Sequence, residues 1–463
     1  MLTYDLEQRG NLARYDYLYR CIREDILSGR LNPGERLPSK RSLAAHLNTA
    51  VVTVENAYAQ LEAEGYLYAR EKQGCYVAPV EVRPWEGEPP EQQPERLNPQ
   101  WHLDLGGLGS GTEGFPFSLW ARLTRRVLTQ RGEQLLRATP PNGVMELRQA
   151  ISRHLYRFRG ISAAPEQIVV GAGTEYLYNL LVQLLGRERI YGLEDPGYSK
   201  AERVYTLSGA RCRSLPVDRG GVPLEALEES GCQVLHISPN HQFPTGAVTP
   251  ISRRQGMLRW AEREEGRYII EDDYDSEFRF TGRPIPTLQS IDRAEKVLYV
   301  NTFSRTLAPS LRIGYLVLPQ ALLKDYEKRL GFYSSTVPAI EQHTLALFLE
   351  EGHFERHLNR MRVYYRNRRD QVIAAIGRSP LAGRCQVLGE EAGLHFLLRL
   401  HTNLEDAQLE AAAREQGIRL SFLTQYERLP GRAGAHTLVV SYPGLEQEKL
   451  EAGLETLAQL LDQ

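Results

Sequence analysis

The chain is 463 residues long, well beyond a single ordinary core of roughly 150 residues, so two unequal domains are expected. Its 56 Lys and Arg offset 58 Asp and Glu to a formal net charge of −2, which excludes a histone-like or polybasic membrane binder and confines any nucleic-acid contact to a local surface. Cys21, Cys75, Cys212, Cys232 and Cys385 are scattered without a CxxC pair, and no stretch approaches about 18 uninterrupted apolar residues; the expectation is a cytoplasmic, soluble chain without disulfide framework, metal site or membrane span.

Residues 1–80 read as three helices followed by a hairpin. Leu18, Ile22 and Ile26 recur at helical spacing, and Leu31-Asn32-Pro33-Gly34 ends that helix. Ser39 is placed to cap a second helix over Arg41 to Leu47, and Thr49 or Ala50 opens a third that runs to Gly65. Tyr66 to Val77 alternates around a polar tip and predicts a two-stranded wing. The runs Leu37-Pro38-Ser39-Lys40-Arg41-Ser42-Leu43-Ala44, Thr53-Val54-Glu55-Asn56-Ala57-Tyr58 and Leu61-Glu62-Ala63-Glu64-Gly65 resemble the GntR-type winged helix-turn-helix. That resemblance implies a third helix in a major groove of double-stranded DNA, with contacts from Ser39, Lys40, Arg41, Thr49, Val51, Thr53, Arg70 and Lys72. The sequence departs from the family at Ala50-Val51, where Ser-Arg is usual. Ten basic residues balance ten acidic ones in 1–80, so phosphate contacts are expected to outweigh base reading. A helical module that no longer reads DNA is the competing reading.

From 81 to 103, Pro84, Pro89, Pro90, Pro94 and Pro99 stand among Glu86, Glu88, Glu91 and Glu95, a composition that predicts a semi-rigid spacer of up to about 3.1 Å per residue. The large domain, 104–463, follows. Apolar runs at 167–170, 233–237, 267–270, 296–300 and 315–318 alternate with helical stretches such as Leu177 to Leu185, which predicts an α/β fold on a mostly parallel sheet with ligands at the carboxyl ends of its strands.

Motifs fall at those ends. Gly171-Ala172-Gly173-Thr174-Glu175 joins a strand to a helix, where backbone amides and the helix dipole favour a phosphate. Glu194-Asp195-Pro196-Gly197-Tyr198 offers an aromatic platform, with a core role for Tyr198 as the alternative. Glu271-Asp272-Asp273-Tyr274-Asp275 places carboxylates after another strand; a solvated acidic loop or a metal cluster is the rival reading. His241-Gln242-Phe243-Pro244-Thr245-Gly246 and Asn301-Thr302-Phe303-Ser304-Arg305-Thr306-Leu307-Ala308-Pro309-Ser310-Leu311-Arg312 complete the set.

In order along the chain, Phe115-Pro116 with Trp120, Pro141-Asn142-Gly143 with Leu147-Arg148, and these motifs behind the head closely resemble the MocR/GabR-type regulators, which fuse a GntR-like winged helix to a fold-type I, class I/II aminotransferase-like domain. The resemblance implies a head-to-tail homodimer, pyridoxal 5'-phosphate bound to a lysine, and transcription controlled by an amino-containing effector. It assigns the cofactor's ring nitrogen to Asp272, its 3'-oxygen to Tyr274, ring stacking to Tyr198, and its phosphate to the turn Gly173, Thr174, Glu175 with Ser304 and Arg312. Three positions depart from it: Arg305 stands where the family has the lysine, Phe243 where an asparagine bonds the ring oxygen, and His436 to Tyr442 lacks the carboxylate-binding arginine. A guanidinium keeps its proton, with a pKa above about 12, and cannot attack an aldehyde.

The reading is therefore a DNA-binding transcriptional regulator whose aminotransferase-like domain is catalytically silent and senses a ligand. Arg305 would put fixed positive charge beside the cavity and favour an anionic effector, such as pyridoxal phosphate held without a covalent bond. The alternatives are a pyridoxal-phosphate-dependent aminotransferase in which Arg305 is an engineered replacement or is compensated by Lys200, and a dimeric scaffold for a protein partner.

Overall fold

Helix α1 (Arg14–Leu27) buries Leu18, Ile22 and Ile26 against Val54, Ala57, Tyr58 and Leu61 of α3 (Val51–Ala63), the spacing expected of two amphipathic helices sharing one core. The computed structural model describes residues 2–80, 101–107, 114–280, 285–429, 431 and 434–462. Between those helices, α2 (Lys40–His46) is opened by Ser39, whose Oγ accepts from the Ser42 amide at 3.1 Å; Ala50 gives α3 no side-chain cap. Strands β1 (Leu67–Arg70) and β2 (Gly74–Val77) pair antiparallel from Leu67 with Val77 to Arg70 with Gly74, forming the expected wing. At its tip Lys72 takes the left-handed conformation, φ 61°, that so short a connection demands. Leu67 and Val77 close the core beneath it, each burial stabilising by about 1.5–3 kcal/mol.

The chain divides into two compact units, Met1–Asn98 and Pro99–Gln463. The expected spacer, 81–103, falls outside the described residues from 81 to 100; Leu103, at its expected end, lies in strand β3 (Leu103–Asp104). The second unit carries helices α4 (Phe117–Arg131), α5 (Met145–Arg159), α6 (Thr174–Leu185) and α7 (Ser199–Leu207) among its earlier elements. Its main sheet uses β4 (Ile168–Gly171), β5 (Ile190–Asp195), β6 (Arg211–Pro216), β7 (Val234–Ile237), β8 (Tyr268–Asp272), β9 (Val297–Thr302) and β10 (Gly314–Val317). The order is β4-β10-β9-β8-β7-β5-β6; β10 runs antiparallel to both neighbours and every other pairing is parallel.

This is the expected mostly parallel α/β sheet, and its central strands are largely apolar because both faces are covered, whereas the edge strand β6 is half-exposed. Tyr299 and Val317 enter one core with α5, while Leu298, Val300 and Leu316 enter the opposite core with α6. Strands β11 (Cys385–Leu388), β12 (His395–Leu400) and β14 (Thr437–Ser441) form a separate antiparallel sheet, and β13 (Ile418–Arg419) lies parallel to β3. Among the described residues no helix is long and apolar enough to cross a membrane.

Candidate functional site

Five crossovers end at one place. Thr174 and Glu175 open α6 after β4, Tyr198 follows β5, Ser238 follows β7, Asp272 ends β8, and Thr302 ends β9 with Ser304 and Arg305 just after it. Together with Tyr178, Lys200, Phe243, Tyr274, Pro309 and Arg312 they line a cavity of about 240 Å³. Gly173 forms the N-terminal cap of α6 at φ 87°, and a Cβ there would meet Arg312 Nη2 at 2.5 Å, so the turn needs glycine to let the guanidinium in. Arg312 itself sits in the left-handed region, φ 50°, after the short turn Pro309–Leu311, a conformation an arginine rarely adopts and one that tends to occur at functional sites.

At the inner end, Asp272 Oδ2 accepts from the Tyr178 hydroxyl and lies 3.5 Å from His236 Nε2, whose Nδ1 is 2.7 Å from the Tyr205 hydroxyl. Asp272 Oδ1 is buried with no hydrogen-bond partner in the chain. A buried carboxylate oxygen left open in this way costs about 1–3 kcal/mol and awaits a donor. Phe243 is nearly edge-on to Tyr198, Tyr274 and Tyr426, with centroids 6.0, 6.4 and 5.2 Å away. The Tyr274 hydroxyl is 3.1 Å from His241 Nδ1, which also meets Asp275 Oδ2 at 3.0 Å.

At the outer end the charges are mixed. Arg312 Nη2 donates to Glu175 Oε2 at 2.5 Å, and Lys200 Nζ lies 3.7 Å from Glu175 Oε1. Burial pushes the Glu175 carboxyl up, but Arg312 and Lys200 hold it below its ordinary value. Burial raises the Tyr198 phenol to about 12 and lifts the Tyr274 phenol well above its ordinary value, while the charge of Arg305 opposes both. Arg305 also lines a smaller neighbouring cavity with Phe243, Tyr274, Asp275, Leu394, His395 and Ser441. His395 is pushed down to about 4 by burial first and by the neighbouring His241 second, with Arg305 adding to the effect.

In the first unit, Lys40 and Arg41 stand in the first turn of α2, and the exposed Arg70 and Lys72 stand on the wing. The Arg70 guanidinium covers the rings of Tyr76 and Tyr68 at 4.9 and 5.5 Å, which stiffens it toward one side of the wing. Val51 is exposed and Thr53 half-buried; the Thr49 hydroxyl oxygen is buried.

Residues 107–457 match the family described as aminotransferase class I and II, and residues 14–77 match the bacterial regulatory proteins of the gntR family. The chain is 34% identical to the uncharacterized HTH-type transcriptional regulator YdeL of Bacillus subtilis (strain 168), over 98% of both chains. It is 33% identical to the probable rhizopine catabolism regulatory protein MocR of Rhizobium meliloti, covering 98% of this chain and 94% of that one. The chain belongs to the MocR-like HTH-type transcriptional regulators. The crystal structure of LysN, the α-aminoadipate aminotransferase of Thermus thermophilus, shares 27% identity with this MocR-like chain and matches 78% of it and 92% of LysN at a TM-score of 0.67.

The aminotransferase fold family is pyridoxal-phosphate-dependent, and much of this MocR-like cavity suits that group. The open Asp272 Oδ1 suits a protonated ring nitrogen, the aromatic rings of Tyr198, Phe243 and Tyr274 wall a flat ring, and the α6 N-terminus with Arg312 suits a phosphate. Glu175 occupies Arg312 and would have to yield it to an anion. Of the residues expected from sequence, Thr174, Glu175, Tyr198, Asp272, Tyr274, Ser304, Arg305 and Arg312 all line the cavity, and Gly173 shapes it from behind. Tyr178, Thr302 and the His236–Tyr205 pair escaped the sequence reading, because a tyrosine on an apolar helix or a histidine inside a strand is indistinguishable from core until its partner is known. Lys200 reaches the cavity rim but is engaged with Glu175.

Glu194 shows how the buried acids around the cavity couple to pH. Its carboxylate accepts from the Ser238 amide at 3.1 Å, and burial pushes it up to about 8. The folded state then keeps a proton that an unfolded glutamate loses near pH ~4.3, so this stabilisation is complete below that pH and is lost as pH rises through about 8. Glu194→Gln is expected to flatten that decline: in denaturant titrations the variant should lose less stability than the parent between about pH 5 and pH 8. Parallel pH profiles would show that Glu194 is ionised throughout.

Proposed function

We propose that this MocR-like regulator binds double-stranded DNA through its winged helix and uses a catalytically silent aminotransferase-like domain to sense an anionic small molecule, with pyridoxal phosphate held reversibly as the reference ligand. Arg305 carries this reading, since it puts a permanently charged, non-nucleophilic group on the cavity wall at the position that the family resemblance gives to the reactive lysine. Pyridoxal phosphate, when bound, supplies an aldehyde and an electron-withdrawing ring. Asp272 would hold its ring nitrogen, Tyr198 and Phe243 would flank the ring, and the amides opening α6, with Thr174, Ser304 and Arg312, would hold the phosphate. Arg305 would neutralise a further anionic group. The cavity's three cationic side chains, Lys200, Arg305 and Arg312, against Glu175 and Asp272 favour a ligand carrying net negative charge. LysN was crystallised with N-(5'-phosphopyridoxyl)-L-leucine, a ligand with the ring, phosphate and carboxylate that this donor set suits.

The remaining assignments complete the reading: residues 1–80 as the DNA-binding head, a proline-rich spacer before the large domain, a cytoplasmic homodimer built by the large domains, and one head for each half-site. In the head, Lys40, Arg41, Arg70 and Lys72 would neutralise phosphates, with Ser39 and Thr53 beside them. DNA affinity is therefore expected to fall steeply with salt and to change little with sequence. Arg41→Ala and Lys72→Ala should each lower the slope of log affinity against log salt by about 1. An unchanged slope in both variants would take the basic residues off the DNA.

A further inference from the structure

Helix α3 has one face that its own fold leaves unused. Val54, Ala57, Tyr58 and Leu61 are buried in the head core, which at about 3.6 residues per turn turns Val52, Asn56 and Ala59 to the opposite side, with Val51 and Glu55 at its flank. All five are exposed. Val51 is 40% and Val52 58% accessible, and with Tyr15 they are the exposed large hydrophobic residues among the described residues of this unit. Val51 and Val52 are adjacent in the first turn of α3 and together form a small exposed apolar patch.

The chemistry of this face is one-sided. Helix α3 contains no lysine or arginine, so it lacks the side chains that make the commonest contact to guanine, a paired donation to O6 and N7. Apolar groups in a major groove find a partner in the 5-methyl of thymine, and an asparagine can bond N6 and N7 of adenine on both its atoms. Glu55 can accept from an exocyclic amine and is repelled by phosphate, which keeps it over the bases. On the other elements of the head, Lys40 and Arg41 of α2 and Arg70 and Lys72 of the wing carry the charge opposite to the DNA backbone. We propose that the outward face of α3 reads A·T pairs, with Val51 and Val52 packed on thymine methyls and Asn56 on an adenine. This rests on the reading of the head as a DNA-binding unit, and it makes the modest sequence preference a preference for particular base pairs.

The test uses the full-length chain. Duplexes are selected from a random library, and the best is rebuilt with deoxyuridine in place of thymidine one position at a time, which removes the 5-methyl group alone. One or two replacements per half-site should weaken binding about fourfold each, equivalent to ~0.8 kcal/mol for one buried methyl-sized group. The same replacements should have no effect on the Val51→Ala, Val52→Ala double variant, which must keep the parent's salt slope; both positions are exposed and alanine favours the helix, so the head stays folded. Asn56→Ala should flatten discrimination between A·T and G·C at one position. Uridine replacements that leave the parent's affinity unchanged everywhere, or effects that persist in the valine variant, overturn the proposal while leaving DNA binding intact. If the library yields no bound duplex, DNA binding by the head fails and the base reading falls with it.

Discussion

Arg305→Lys is expected to convert reversible binding of pyridoxal phosphate into covalent attachment. The cavity already places an open carboxylate oxygen at Asp272, aromatic walls at Tyr198 and Phe243, and a cation with helix amides at Arg312 and Thr174, so the missing element is a nucleophile. Orienting the aldehyde beside a lysine amine converts a bimolecular addition into an intramolecular one, and effective molarities in such settings reach about 10⁵–10⁸ M. The variant should show a visible absorption band with added cofactor, and after borohydride it should retain the mass of one cofactor per chain through denaturation. The parent should release the cofactor on dialysis. Transamination should remain negligible even in the variant, because Phe243 and the arginine-free stretch His436 to Tyr442 do not rebuild substrate recognition. A variant that stays colourless in excess cofactor would mean the cavity no longer holds the ring, and the large domain would be a scaffold.

The largest stability effect is expected at Arg159, the last residue of α5, whose guanidinium bonds Asp273 with both side chains almost entirely buried. Asp273 also accepts from the Tyr299 hydroxyl at 2.6 Å and Asn240 Nδ2 at 2.8 Å, so its carboxylate is held ionised between Asp272, the last residue of β8, and Tyr274 in the chain. Burial alone would push Asp273 up; Arg159 and these bonds hold it below its ordinary value. Arg159→Ala leaves that charge uncompensated and should cost about 3–5 kcal/mol in denaturant unfolding of the large unit, with partial recovery when Asp273→Asn is added. A loss under about 1 kcal/mol would show that Tyr299 and Asn240 suffice, since that is the size of an ordinary neutral hydrogen bond.

The parts of this molecule legible from sequence share a physical cause. Strands β4, β7, β8, β9 and β10 are buried on both faces, so each is written mainly in aliphatic and aromatic residues, with polar residues such as His236, Asp272 and Thr302 toward the site. Strand β6 is exposed or half-buried along most of its length and reads Arg-Cys-Arg-Ser-Leu-Pro, which carries no such signal. In the β11-β12-β14 sheet, β11 and β12 are neighbours in the chain, but β14 joins β12 from a distant segment, and that pairing is invisible to any local pattern. At the site, motif residues following strands were found because the fold fixes where strand ends meet. The Arg159–Asp273 pair, the Glu175–Arg312 contact and the open oxygen of Asp272 depend on side-chain packing across the fold, which sequence spacing does not encode.

The most direct test of the account is equilibrium dialysis of the unmodified full-length chain against pyridoxal phosphate, with and without a selected DNA duplex. The account predicts saturable binding of one cofactor per chain, complete release on dialysis, no mass fixed by borohydride, and an affinity that shifts when DNA is present, since coupling between two sites is reciprocal. Absence of saturable binding, or cofactor that survives both dialysis and denaturation after borohydride, would contradict it.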